Sequence, residues 1–243
     1  MSSFDALAYR FKSGRLYEVK HPDIPELDDL LNIDYQKTEL WTNTLQFVKG
    51  FEANDALLWG DSGTGKSSLV KAMLGQFANM GLRLIQIYKS DIEHLSELYG
   101  ILRPLKERFI LFFDDLNFER DDERIYLLKS ILDGDIEKRP ENCIVYATSN
   151  RRNIVFQEEN GSKFEADDRA SMLSLAERFG LRLAFSRGGQ EEFLKVVFKN
   201  LSGEEFNKED IREKALLWGR ERGFSARSAI QFIRYIKGRS VLG

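Results

Sequence analysis

Five short apolar runs punctuate the chain: Ala56-Leu57-Leu58-Trp59, Leu82 to Tyr88, Phe109 to Phe113, Cys143 to Ala147, and Leu181 to Phe185. Each has strand length and is almost continuously apolar, as expected for strands buried on both faces. Helical patterns alternate with the first four, which predicts a parallel sheet with flanking helices. Ahead of them, Ile33 to Gly50 carries Leu40, Trp41, Leu45 and Val48 at helical spacing. Residues 1–32 read as irregular, because His21-Pro22 and Ile24-Pro25 block regular structure. After Ser186 the strand signal stops, and Gln190 to Leu201, Lys208 to Arg222 and Ser225 to Lys237 read as amphipathic helices. Gly188-Gly189 is a natural hinge. The expected architecture is α/β: an extension and first helix over residues 1–52, a core over 53–187, and a small all-helical lid over 188–243.

Composition narrows the class. Of 243 residues, 42% are hydrophobic and only four are proline, as in an ordinary globular protein. No apolar stretch approaches the ~20 residues of a membrane span. Met1-Ser2-Ser3-Phe4-Asp5 lacks the basic and apolar regions of a signal peptide. Cys143 is the single cysteine, which excludes an internal disulfide, and its apolar surroundings suggest a buried inert thiol. With only His21 and His94 besides, no transition-metal cluster is expected. A cytoplasmic location follows as the expectation, with no membrane partner. The net charge of −3 gives the whole chain no nucleic-acid footprint. From Arg187 onward, however, twelve Lys and Arg stand against eight Asp and Glu. That excess suits an acidic partner, a neighbouring subunit or a nucleic acid, or simply a solvated helical surface.

The chemistry concentrates after the first strand. Gly60-Asp61-Ser62-Gly63-Thr64-Gly65-Lys66-Ser67 is a complete phosphate-binding loop, set between a strand and the helix read over Lys66 to Met80. Its glycines let backbone N–H groups wrap a phosphate chain, and the positive end of the helix dipole faces the anion. Gly60 through Ser67, with Ser68 on the first helical turn, are the expected ATP contacts. Lys66 is expected on the β- and γ-phosphates and the Ser67 hydroxyl on Mg²⁺. The fold class is accordingly that of a P-loop NTPase.

Phe109 to Phe113 ends in Asp114-Asp115, at the strand edge where parallel sheets bind ligands. Asp114 is the candidate Mg²⁺ ligand and Asp115 the candidate to polarise the attacking water. Standing alone, the same pair would suit an acidic turn or helix cap. The next strand ends Thr148-Ser149-Asn150, where Asn150 suits either orientation of a water near the γ-phosphate or an ordinary strand-ending turn. Asn150 to Ser171 is a long polar stretch, of a length that is usually functional or mobile.

Taken in order, the phosphate loop, Asp114-Asp115, Thr148-Ser149-Asn150, Arg178 in Ala176-Glu177-Arg178-Phe179-Gly180, and Arg227 in Gly223-Phe224-Ser225-Ala226-Arg227 form a pattern that resembles the AAA+ ATPases. Within them the chain looks closest to a poorly characterised bacterial family of predicted ATP-binding proteins. The resemblance covers roughly residues 20 to 240. It implies that Lys66 and Ser67 occupy Walker A positions, Asp114 and Asp115 Walker B, and Asn150 sensor 1. It implies that Arg178 is an arginine finger reaching a neighbouring subunit's site, with Arg151 and Arg152 as rivals, and that Arg227 is the sensor 2 arginine of the lid; read by themselves, Arg178 also suits a helix-end cation satisfying carbonyls and Arg227 an exposed helical arginine. Leu31 to Lys37 resembles the segment beside adenine, with Ile33 and Tyr35 as its candidate neighbours. One departure is the second Walker B acid, Asp115, where Glu is commoner.

The expected function is therefore Mg²⁺-dependent ATP hydrolysis by a homo-oligomer that remodels or loads a protein or nucleic-acid client. A regulatory module that binds ATP with little hydrolysis, and a P-loop small-molecule kinase, are the alternatives. A GTPase is disfavoured. Asn207-Lys208-Glu209-Asp210 matches a guanine-reading pattern, but it follows no strand and suits a helix N-cap. Arg227 opens a helix, where a cation is mildly unfavourable and a compensating anion is expected.

Overall fold

The computed structural model describes residues 4–118, 122–133, 138–150, 173–202 and 206–242. Its centre is a seven-stranded sheet made from β1 (Ala8–Lys12), β2 (Arg15–Glu18), β3 (Ala56–Gly60), β4 (Leu82–Ile87), β5 (Arg108–Phe113), β6 (Cys143–Ser149) and β7 (Leu181–Phe185). The spatial order is β2-β1-β4-β5-β6-β3-β7. Every pairing is parallel except the β1–β2 hairpin at one edge. All five strands expected from apolar runs are present.

The N-terminal expectation is corrected. Residues 8–18 form a hairpin that extends the core sheet through β1–β4 pairing. Ser13 and Gly14 both have positive φ, +49° and +72°, as in the two-residue turn that matches strand twist. The prolines at 22 and 25 lie beyond the hairpin and leave it undisturbed.

Alternation along the strands divides the core into two layers. Phe11, Ile87, Phe109, Leu111, Phe113 and Val145 face helices α3 (Leu95–Leu102) and α4 (Arg124–Asp133). Leu58, Ile110, Phe112, Ile144 and Tyr146 face α1 (Asp34–Val48) and α2 (Lys66–Phe77). The face of α1 differs from expectation: Leu40, Asn43, Thr44 and Phe47 are buried, whereas Trp41 is 37% exposed. The polar pair is buried because both bond Tyr146, with Oη 2.8 Å from Thr44 Oγ1 and 3.1 Å from Asn43 Nδ2. A buried phenol needs such partners.

The C-terminal helices α5 (Gln190–Asn200), α6 (Lys208–Arg222) and α7 (Ala226–Leu242) enclose a third apolar cluster around Phe193, Val197, Ile211 and Phe232. Glu192 caps α5 by accepting the Gly189 N–H at 2.9 Å. Asn207 caps α6 by accepting from the Glu209 and Asp210 N–H groups, so the guanine-like pattern is a helix start. Among the described residues no helix is long and apolar enough to cross a membrane.

Candidate nucleotide site

The strand order determines how the site is assembled. β3 delivers the phosphate loop, β5 delivers Asp114, and β6 runs between them. The C-terminal ends of all three strands therefore converge at one sheet edge, the position where open α/β sheets bind ligands.

The loop demands glycine at its root. Gly60 has φ +124°, and a Cβ there would lie 2.0 Å from the Phe185 carbonyl oxygen. The close approach arises because β3 lies directly beside β7, and Asp61 N–H then donates to that same oxygen at 2.9 Å. Gly65, at φ +98°, turns the chain into α2. Thr64 Oγ1 donates to the Asp61 carbonyl at 2.8 Å. Lys66 is only 5% exposed and its ammonium donates to the Gly60 and Asp61 carbonyls at 3.0 and 2.6 Å. Burial pushes its pKa below the ordinary lysine value, against the opposing pull of Asp61 and Asp115. The cation is thus folded back on its own loop, where a phosphate would offer stronger acceptors.

Ser67 Oγ donates to Asp114 Oδ1 at 2.5 Å. Thr148 Oγ1 donates to the same oxygen at 2.8 Å and accepts the Asp115 N–H at 2.8 Å. Asp115 takes a left-handed conformation, φ +56°. Its Oδ1 accepts from Asn150 Nδ2 at 2.7 Å and from Asn117 Nδ2 at 2.6 Å. Thr148 and Asn117 were missed in sequence. Strand alternation gives a signal for Thr148, which shares its face with Asn150 two residues on; nothing comparable marks Asn117.

The C-terminal helices touch the loop through the start of α7. Arg227 N–H donates to the Gly63 carbonyl at 3.2 Å, and its Nη1 lies 3.3 Å from Ser62 Oγ. Among the described residues no carboxylate pairs with Arg227. The resulting cleft, about 660 Å³, is lined by Ser62 through Ser68, Asp114, Asp115, Thr148, Asn150 and Arg227. Its lining also includes the apolar residues Leu31, Ile33, Val196 and Ile230, with Asp29, Asn200, Gln231 and Arg234 beside them. Tyr35, the other residue expected beside the base, is 67% exposed and does not line the cleft.

Arg178 also lies outside the cleft. Its Nε and Nη2 bind Asp133 Oδ2 at 2.8 and 2.6 Å, and its Nη1 donates to the Ser174 hydroxyl at 2.7 Å. Arg151 and Arg152 fall outside the described residues, as does nearly all of the polar stretch after Asn150.

The family described as "Protein of unknown function (DUF815)" matches residues 2–240. The chain belongs to this family. The comparison with curated proteins gave no match for this DUF815 chain. Its fold is similar to the Thermotoga maritima RuvB Holliday-junction branch-migration motor, with TM-score 0.55 and 17% identity over 88% of this chain and 64% of that one. The chain therefore spans a little under two thirds of that motor. It is similar to Aeropyrum pernix ORC1, solved in complex with DNA, at TM-score 0.57 and 19% identity over 86% of this chain and 58% of that one. It is also similar to a chain of the E. coli MS115-1 HORMA:CdnC:Trip13 complex, at TM-score 0.53 and 15% identity, covering 86% and 89%. The DUF815 chain is thus an AAA+ P-loop protein in fold.

Proposed function

We propose that this protein is a Mg²⁺-dependent ATPase that acts as a homo-oligomer and uses turnover to remodel or load a macromolecular client. The observation that carries the reading is the Arg227 cation, seated on the phosphate loop at the start of α7 with no carboxylate partner among the described residues. A cation at a helix N-terminus is unfavourable without an anion, and a triphosphate beside Gly63 supplies one. The apolar residues Ile33 and Val196 in the lining suit a base.

The residues also fit a metal. Ser67 Oγ and Asp114 Oδ1 already lie within 2.5 Å of each other, a hard oxygen pair of the kind that holds Mg²⁺ together with phosphates. When bound, Mg²⁺ neutralises charge developing on the β- and γ-phosphates. Lys66 releases its loop carbonyls to hold those phosphates. Thr148 orients Asp114 and Asp115 together. Asp115 accepts a proton from the attacking water, and Asn150 fixes the acid that accepts it. Arg178, which does not line its own cleft, serves a neighbour's.

A second reading, ATP binding with slow turnover, is favoured by one detail. Asp115 Oδ1 already accepts from two amides, which occupies the oxygen that would receive a water's proton. Phosphate release with MgATP at increasing protein concentration separates the readings. Turnover per chain that rises with assembly and disappears in Lys66→Ala supports the ATPase. Tight ATP binding with no release at any concentration supports the second.

A further inference from the structure

The unexpected hairpin creates a surface that the nucleotide cleft does not use. Antiparallel register places Tyr17 beside Arg10 and Arg15 beside Lys12. Parallel register places Gln86 on the other side of Arg10, and one step further brings Tyr88 to the level of Lys12. Strand alternation puts all six side chains on one face, because Tyr9 and Phe11 turn into the core between them. Arg10, Lys12, Arg15, Tyr17 and Tyr88 are all exposed, with Tyr17 at 52% and Tyr88 at 40%. Arg10, Lys12, Tyr17 and Tyr88 line one shared groove.

Among the described residues Asp91 is the one acid lining this groove, against the cations Arg10 and Lys12. Among the described residues no carboxylate pairs with Arg10, Lys12 or Arg15. The nearby acid, Asp91, is buried and already accepts the Ser13 N–H at 2.7 Å and the Ser90 hydroxyl at 3.1 Å. The turn that carries the cations is therefore pinned, which lowers the ordering cost of using them. Ordinary sheet spacing separates the two tyrosines by about 12 Å, enough for each to take a different base. β1 and β4 run parallel to β5, β6 and β3, so the groove opens on the same sheet edge as the nucleotide cleft.

We propose that this hairpin face binds single-stranded nucleic acid, with Arg10, Lys12 and Arg15 on successive phosphates and Tyr17 and Tyr88 stacked on bases. An acidic peptide would use the cations and leave the rings idle; a duplex would present no free base faces. The inference deepens the client reading above by naming the client's class, and its test is independent of ATP.

The test is fluorescence anisotropy of a labelled oligothymidylate of about 20 nucleotides with the nucleotide-free 243-residue chain. The expected result is binding whose log–log salt slope is about −2, from three phosphates at about 0.7 each. Tyr17→Ala and Tyr88→Ala should each weaken binding about fivefold or more, whereas Tyr17→Phe and Tyr88→Phe retain it. Arg10→Gln with Lys12→Gln should flatten the slope. These side chains are exposed, so thermal midpoints should stay unchanged. Absence of binding at low salt, equal binding of polyglutamate or blunt duplex, or indifference to the tyrosine variants would each overturn the inference. A chain that hydrolyses ATP but ignores the oligonucleotide loses this inference and keeps the ATPase; the converse result separates them in the other direction.

Discussion

Arg178 and Asp133 form a two-point ion pair, with Nε and Nη2 of the guanidinium 2.8 and 2.6 Å from a single carboxylate oxygen. The pair joins the end of α4 to the segment before β7 and does not line the chain's own cleft. Half-exposed pairs of this kind contribute only about 0–1 kcal/mol. Arg178→Ala should therefore leave the thermal midpoint nearly unchanged. If Arg178 serves a neighbour's nucleotide, the same variant should lower turnover of the assembled protein by about 10³–10⁵. A large loss of stability with unaltered turnover would make Arg178 structural.

Asp115 combines a left-handed backbone with two amide partners. Asn tolerates that conformation better than most residues. Asp115→Asn should keep MgATP binding and the fold while lowering hydrolysis by about 10² or more. Asp115→Ala should lose hydrolysis as well and cost about 1–3 kcal/mol of stability from the strained backbone. Parallel calorimetric ATP titrations and thermal melts distinguish the two.

Arg227 reaches the loop from the start of α7, so its contribution should appear in binding. Arg227→Ala should weaken ATP affinity about 10- to 100-fold, the worth of one charge-assisted hydrogen bond. AMP, which lacks the distal phosphates, should be nearly insensitive to the change. Equal losses for ATP and AMP would place Arg227 away from the phosphates.

The interior predicts an alkaline weakness. Burial raises the Cys143 thiol to about 12 and the Tyr146 phenol to about 12, the latter against its bonds to Thr44 and Asn43. Folded values above the unfolded ones mean that both groups favour folding while neutral. That contribution is complete below about pH 9 and is lost as pH rises towards 12. Urea midpoints should fall through this window. Tyr146→Phe should show a shallower fall but start about 1–3 kcal/mol lower, since two buried partners lose their bonds. A midpoint flat from pH 8 to 11 would contradict the assignment.

Legibility from sequence followed the strength of local signals. Five double-buried strands announce themselves as unbroken apolar runs, and the glycine loop between strand and helix announces its ligand. The β1 hairpin was legible in principle, since Tyr9 and Phe11 alternate with Arg10 and Lys12 around Ser13-Gly14. Five residues of alternation were outweighed by the prolines that follow. Trp41 stands at helical spacing with Leu45 and Val48, but the helix phase is set by Asn43 and Thr44 reaching Tyr146, a partner about a hundred residues away in the chain. Thr148 reaches Asp114 and Asp115 because β6 pairs with β5, and strand order is not written in any short motif; Asn117 reaches Asp115 from two residues away, with no pattern to mark it.

The central claim is that each nucleotide site is completed by a neighbouring subunit, and mixing two inactive variants tests it most directly. Lys66→Ala lacks the phosphate grip but retains Arg178; Arg178→Ala retains the phosphate grip. ATPase activity recovered on mixing, in assemblies shown to contain both variants, is the predicted result. Verified co-assembly without recovery would contradict the claim.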